Sequence, residues 1–290
     1  MKVVVIGANG QLGSDICKIL SKKGYEVSGT NRNAIDVTDM SMCKERLTEI
    51  KPEAVINTAA FHNVEQCERD PITSFSVNAI GARNLAILSN ELDFKIIHFS
   101  TDYVFDGLKK MPYVESDIPM PLNVYGNTKL SGEIFIRTIS KSYFIARVSG
   151  LFGISPCRAK GGLNFIRLML KLAKERDEVS VVNSESLAPT YTVDVAMQIE
   201  KLLQTDNFGL YHMASNGSCS WYEFAKAIFE LAKSKVKLSV ASPDEFPAKV
   251  PRPTYSVLEN AALKSIGMDI MPHWRDAMKR YLVEIGVTIN

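Results

Sequence analysis

Tyr125 and Lys129 stand four residues apart in NVYGNTKLSGE, Asn123 to Glu133, a spacing that puts both on one face of a helix, one turn apart. A phenol titrates near pH 10, too high to exchange protons readily at neutral pH. Lowering it by roughly three units takes about 4 kcal/mol of preference for the phenolate, which a fixed ammonium beside it could largely supply. The pair therefore reads as a general acid and base. Just upstream, HFSTDYVFDG, His98 to Gly107, delivers Ser100, Thr101 and Asp102 at the end of a strand. A threonine hydroxyl there can donate to a carbonyl while Tyr125 delivers a proton. The spacing alone carries little weight, because the chain holds a second such pair, Tyr222 with Lys226. That pair sits in SWYEFAKAIFELAK, where Trp221, Phe224, Ala225, Ile228, Phe229 and Ala232 recur at helical intervals. We read it as structural.

The upstream elements give Tyr125 its meaning. Lys2 to Ile6, KVVVI, is a β-branched run of the kind that forms a buried parallel strand. It enters GANGQLG, spaced G-x-x-G-x-x-G from Gly7 through Asn9 to Gly13, and a helical pattern follows to Leu20. Glycines at a strand end permit a tight turn and let backbone N–H groups hold a pyrophosphate at the helix start. A second strand, Tyr25 to Gly29, ends in Thr30, Asn31 and Arg32. An acidic residue there would hold a ribose 2′-hydroxyl, whereas arginine suits a 2′-phosphate, so Arg32 favours NADP(H) with NAD(H) as the alternative. In IDVTD, Asp36 and Val37 are candidates to edge the adenine, and Thr38 or Asp39 caps the next helix. A strand over Ala54 to Asn57 opens into NTAAFHNVEQCERDP, where small Ala59 and Ala60 would let a cofactor backbone pass and His62 could face the substrate. A long helix from Pro71 through Leu92 carries Asn78, expected to bond a neighbouring strand's backbone. Lys95 to Phe99 and Tyr143 to Val148 are further strands, and Asn123 caps the Tyr125 helix.

From Ser149 the pattern changes. A helix follows GGLNF to about Lys174, then a short strand over Val179 to Val182, a helix ending near Gln204, a sheet strand over Leu210 to Met213, the Tyr222 helix, a proline-rich loop (Ser242 to Pro253) and a terminal helix from Trp274 to Ile285. This alternation implies an α/β, doubly wound parallel sheet with a smaller cap. The 290 residues, 46% apolar and 23% charged with net charge +2, suit a soluble globular protein and give no reason to expect nucleic acid or an anionic membrane. Cys17, Cys43, Cys67, Cys157 and Cys219 are scattered, which suits reduced thiols in a cytoplasm. The four histidines are dispersed too, so no metal site is expected. A strand-like run from residue two leaves no room for a signal peptide, and no apolar run approaches a membrane span.

GANGQLG, STDYVFDG, YGNTKLSGE, APTYTVDVA and PRPTYSVLEN together resemble the dTDP-4-dehydrorhamnose reductases of the extended short-chain dehydrogenase/reductase superfamily, over nearly the whole chain. The resemblance implies a Rossmann domain over 1–149, completed by about 183–213, and a C-terminal substrate-binding domain from about 150–182 and 214–290. It implies NAD(P)H-dependent reduction of the 4-keto group of a nucleotide-linked deoxysugar, the last step to dTDP-L-rhamnose. It casts Tyr125 as the acid, Lys129 as the partner that also holds the nicotinamide ribose, and Thr101 as the group that fixes the carbonyl. Gly10, Gln11 and Leu12 match the pyrophosphate loop, while Asp36, Val37, Ala60, Phe61 and His62 line the cofactor path. Val64 and Asp102 match substrate contacts, and Arg252 in PRP suits a diphosphate. The family usually has a tryptophan, in R-x-S-W, where RVSGLFG here has Gly150. FHNV and the RAKGG insertion are further departures that leave the sugar open. Magnesium and a homodimer are left open as well.

Two other functions compete with a reductase. A sugar-nucleotide epimerase would keep its NAD bound and reoxidise it. A non-catalytic scaffold, like the related regulatory subunit of methionine adenosyltransferase, would bind dinucleotide without turnover; the presence of Thr101, Tyr125 and Lys129 speaks for chemistry.

Overall fold

The computed structural model describes residues 1–156, 161–242, 245 and 249–289. Val3, Val4 and Val5 have no exposed surface, so β1 (Lys2–Ile6) is covered on both sides, as an apolar run in a parallel sheet must be. The chain then alternates through α1 (Gln11–Lys22), β2 (Glu26–Thr30), α2 (Met40–Ile50), β3 (Ala54–Asn57), α3 (Gly81–Glu91), β4 (Lys95–Thr101), α4 (Val124–Ile139) and β5 (Tyr143–Val148). After α5 (Phe165–Glu175) it returns through α6 (Thr192–Leu203) to β6 (Gly209–His212). The strand order is β6-β5-β4-β3-β1-β2, parallel throughout. The winding reverses between β1 and β3, and ligands of such sheets bind at the carboxyl edge of that reversal.

Alternation along the strands sorts the core into two layers. Val3, Val5, Ile56, Ile97 and Phe144 pack with Leu12, Ile16 and Leu20 of α1 and with Val195, Ile199 and Leu203 of α6. Val4, Ile6, Val55, Ile96 and Ile145 face the other way, against Leu47 of α2, Leu85 and Leu88 of α3 and Ile136 of α4. A separate core joins α5, α7 (Trp221–Leu231) and α8 (Trp274–Glu284) around Phe152, Tyr191, Phe224 and Tyr281. Beneath it the strand Glu178–Val181 pairs with Lys237–Val240.

Several expected boundaries shift. β2 runs from Glu26 to Thr30, and the later strands run over Glu178–Val181 and Gly209–His212, each displaced by a residue. Asp39, not Thr38, caps α2. The helix expected from Pro71 to Leu92 is broken by a wider π turn over Ser76–Ile80 and ends at Glu91. Such a turn re-aims a side chain. Here it carries Asn78, whose amide bonds the backbone N–H and carbonyl of Phe61 and the hydroxyl of Thr128, so its partner is the loop after β3 rather than a strand. Cys157, Arg158, Ala159 and Lys160 lie outside the described residues, as do Pro243, Asp244, Phe246, Pro247 and Ala248 of the proline-rich loop.

Candidate active site

Gly7 adopts φ +82°, open to glycine alone without strain, and a Cβ on Gly13 would stand 2.4 Å from the Gly7 carbonyl. The turn is therefore as tight as its glycines allow, and α1 starts at Gly10 with no side-chain cap. The first amides of α1 thus face outward for an anion. From there a cavity of about 540 Å³ runs along the carboxyl edge of the sheet to Arg252. Gln11, Leu12, Ala59, Ala60, His62 and Val64 line it, and so do Thr101, Asp102, Tyr125, Lys129 and Arg252. The turn residues fit the phosphates of a dinucleotide, and the cavity beyond holds the Thr101, Tyr125 and Lys129 set.

The remaining sequence candidates lie elsewhere. Arg32 bonds Asp36 at 2.8 Å beyond the end of β2, where Asp36 also accepts from Thr38, while Asn31 caps the turn through Asn33 and Ala34. Val37 is buried in the core, and its carbonyl accepts from Asn84. Phe61 is fixed by Asn78 through its main chain.

Tyr125 and Lys129 sit in the first turns of α4, whose cap is Asn123, accepting from the Gly126 N–H at 2.9 Å. Asn123 also donates to the Pro251 carbonyl, tying the helix start to the segment that carries Arg252. Burial pushes the Tyr125 phenol well above its ordinary value, and the neighbouring Thr101 hydroxyl draws it partly back; Asp102 pushes it further up. The expected lowering by Lys129 is not among the main influences. Desolvation, which the spacing argument omitted, outweighs it. Burial brings the Lys129 ammonium down from 10.5 to about 8, against the attraction of Glu133 one turn on. His98 is buried on the same side of β4, held below the usual imidazole range by burial and by Lys129. Asn57 gives its carbonyl to the Ala59 N–H and its amide to His98 Nδ1, which assigns the imidazole proton to Nε2.

The lysine's burial has a sign that can be measured. Unfolded, it holds its proton to 10.5; folded, to about 8, so between those values the unfolded chain binds more protons and stability rises with pH. Lys129→Met is expected to be more stable than the parent below pH 8, by up to about 3 kcal/mol, with the gap closing toward pH 10. Urea denaturation across that range checks it, and a gap independent of pH would assign the effect to packing.

Tyr103, Glu185 and Ser256 also line the cavity, and nothing in their sequence spacing marks them. Asp102 is ringed by hydroxyls, with Thr101 Oγ1 3.0 Å from Oδ1 and with Ser149 Oγ at 2.8 Å and Ser256 Oγ at 2.5 Å from Oδ2. Tyr103 packs edge-on against Tyr125, their ring centroids 5.9 Å apart. Trp221, read as structural, does lie on a packed helix, but its ring also reaches the cavity beside Phe165, with Nε1 donating to Glu185 at 3.1 Å. At Gly150, φ +54° would strain any side chain and a Leu187 methyl stands 2.7 Å from where a Cβ would be, so an aromatic ring there would have to displace Leu187.

Comparison with known proteins agrees with this geometry. The RmlD substrate binding domain family model matches residues 1–287. Spore coat polysaccharide biosynthesis protein SpsK of Bacillus subtilis is 39% identical over 284 residues, covering 98% of this chain and 97% of that one. The dTDP-4-dehydrorhamnose reductase of Aggregatibacter actinomycetemcomitans is 36% identical over 292 residues, covering 96% and 97%. The crystal structure of dTDP-4-dehydrorhamnose reductase from Bacillus anthracis in complex with NADP superposes with TM-score 0.93 at 38% identity, covering 98% and 99%. A doubly wound sheet carrying a glycine turn and a threonine, tyrosine and lysine on one edge is the architecture of the extended short-chain dehydrogenases/reductases. Within them, the chain belongs to the dTDP-4-dehydrorhamnose reductase family.

Proposed function

We propose that the protein reduces the 4-keto group of a dTDP-linked 6-deoxysugar, the step that yields dTDP-L-rhamnose. The observation that carries this reading is the single cavity joining the glycine turn, the Thr101, Tyr125 and Lys129 set, and Arg252. A bound nicotinamide dinucleotide supplies the hydride. Thr101 steadies the carbonyl oxygen, Tyr125 hands it a proton, and Lys129 holds the cofactor ribose. Gly10, Gln11 and Leu12 cradle the pyrophosphate, and Arg252 pairs with the substrate diphosphate. Val64 and His62 border the sugar. The sheet lobe, completed by residues near 183–213, serves the cofactor, and the second core serves the substrate.

Oxidation of NADPH and NADH against a panel of nucleotide-linked 4-keto sugars tests the reading. Release of one oxidised cofactor per sugar supports it and separates a reductase from an epimerase; no turnover with any 4-keto sugar overturns it. We favour NADPH because Arg32 is the cation at the end of β2, with 75% of its side chain exposed. Arg32→Ala is expected to raise KM for NADPH about tenfold and leave NADH unchanged, about 1.4 kcal/mol of lost phosphate pairing. An equal change for both cofactors would remove the assignment. Cys17, Cys43, Cys67 and Cys219 are free thiols, which supports a cytoplasmic setting. Among the described residues, no helix is long and apolar enough to cross a membrane, and no group of three or more His, Cys, Asp or Glu could hold a metal ion.

A further inference from the structure

We propose that Asp102 works as a neutral carboxylic acid, a positioning residue whose proton is donated to Thr101 so that the Thr101 hydroxyl aims its own hydrogen at Tyr125 and the substrate oxygen. The inference rests on the reductase reading and concerns the same site. A threonine hydroxyl has one hydrogen and two lone pairs. Thr101 Oγ1 accepts the Tyr103 N–H at 3.2 Å and lies 3.0 Å from Asp102 Oδ1. Facing an ionised Asp102, which can only accept, Thr101 must commit its one hydrogen to Oδ1 and turn a lone pair toward the cavity. A lone pair repels a carbonyl oxygen and gives nothing to a phenolate. With the proton on Oδ1 the contact reverses: Thr101 accepts from Asp102 and Tyr103, and its hydrogen points into the cavity.

The surroundings suit the neutral form. Asp102 is 5% exposed, and its other oxygen meets only the hydroxyls of Ser149 and Ser256. Among the described residues, no Lys, Arg or His comes within ion-pair distance of it; the salt bridges of this region are those of Arg147 with Glu133 and of Lys249 with Glu65. The titratable groups facing it are Tyr103, just after β4, and Tyr125 on α4, with Arg252 and Glu185 acting on Tyr103 from beyond. Burial raises the Asp102 carboxyl, against the pull of Ser256, Ser149 and Thr101. An anion here would hinder phenolate formation at Tyr125; a neutral acid does not. Asp102 keeps its proton through turnover, and the one delivered to the substrate oxygen is that of Tyr125.

Asp102→Ala is expected to lower kcat about a hundredfold, and Asp102→Asn, whose amide N–H still donates toward Thr101, to recover at least tenfold of that. Equal losses in both variants, with cofactor binding intact, overturn the proposal. A second readout needs no substrate: infrared difference spectra of the parent against Asp102→Asn are expected to show a protonated-carboxyl C=O stretch at pH 7 that fades as pH rises. A carboxylate band alone at pH 7 overturns the proposal whether or not any sugar nucleotide is reduced. Should Asp102→Asn fail to fold, Thr101→Val serves instead. Loss of the acceptor moves the C=O stretch to higher frequency, and no movement overturns the proposal.

Discussion

Tyr125→Phe is expected to lower kcat about a thousandfold, about 4 kcal/mol of transition-state stabilisation, while leaving dinucleotide affinity within about twofold. The change removes one oxygen. The ring keeps its edge-on packing against Tyr103, 5.9 Å away, and Asn123 still caps the helix, so the fold has no reason to weaken. What disappears is the proton donor for the nascent alkoxide, and Thr101 cannot replace it, because a hydroxyl of ordinary acidity steadies an oxyanion without neutralising it. Titration of cofactor fluorescence beside steady-state turnover separates the two effects. Tyr222→Phe, on α7, serves as the control and is expected to turn over like the parent. Full activity in Tyr125→Phe would remove the assignment of the acid and favour a scaffold that binds dinucleotide without using it.

Glu133→Gln should cost about 3–5 kcal/mol of stability, the penalty for leaving a buried cation without its counter-charge. Arg147 is 2% exposed and Glu133 1%; Nε donates to Oε1 at 2.9 Å and Nη2 to Oε2 at 2.7 Å, a two-pronged pair under the sheet. The guanidinium also rests over the Phe105 ring, 5.0 Å from its centroid, and among the described residues Nη1 has no hydrogen-bond partner, so it has little left once the carboxylate is gone. The loss is read from urea midpoints at unchanged m-value. A drop below about 1 kcal/mol would show that water or a shifted side chain takes over. Removing both charges, as Glu133→Leu with Arg147→Met, is expected to recover most of the loss, since breaking such a pair is far costlier than never burying it. Glu133 also attracts Lys129, so the glutamine variant weakens that lysine's hold on its proton as well.

Local patterns are legible in the sequence itself. KVVVI and GANGQLG declare a strand, a tight turn and a helix from neighbouring residues alone, and the four-residue interval from Tyr125 to Lys129 is fixed by helix geometry. Arg147 is readable in the same way: a charge inside YFIARV, an otherwise apolar strand, has to be paired, and Glu133 lies one turn beyond Lys129. The partners of Asp102 could not be read, because Ser149 and Ser256 reach it from remote segments and a serine in a loop has no periodicity to betray it. The state of Tyr125 is hidden from the sequence for a related reason. Spacing counts charges; it does not count the water that packing removes.

The return of α6 and β6 to the first sheet carries a consequence for biogenesis. While a ribosome is still making the segment between Val148 and His212, the nascent sheet lacks its last strand, and the layer of Val5, Ile97 and Phe144 has no α6 over it. The amino-terminal half thus emerges with that apolar layer uncovered, a surface open to aggregation until α6 and β6 have been made.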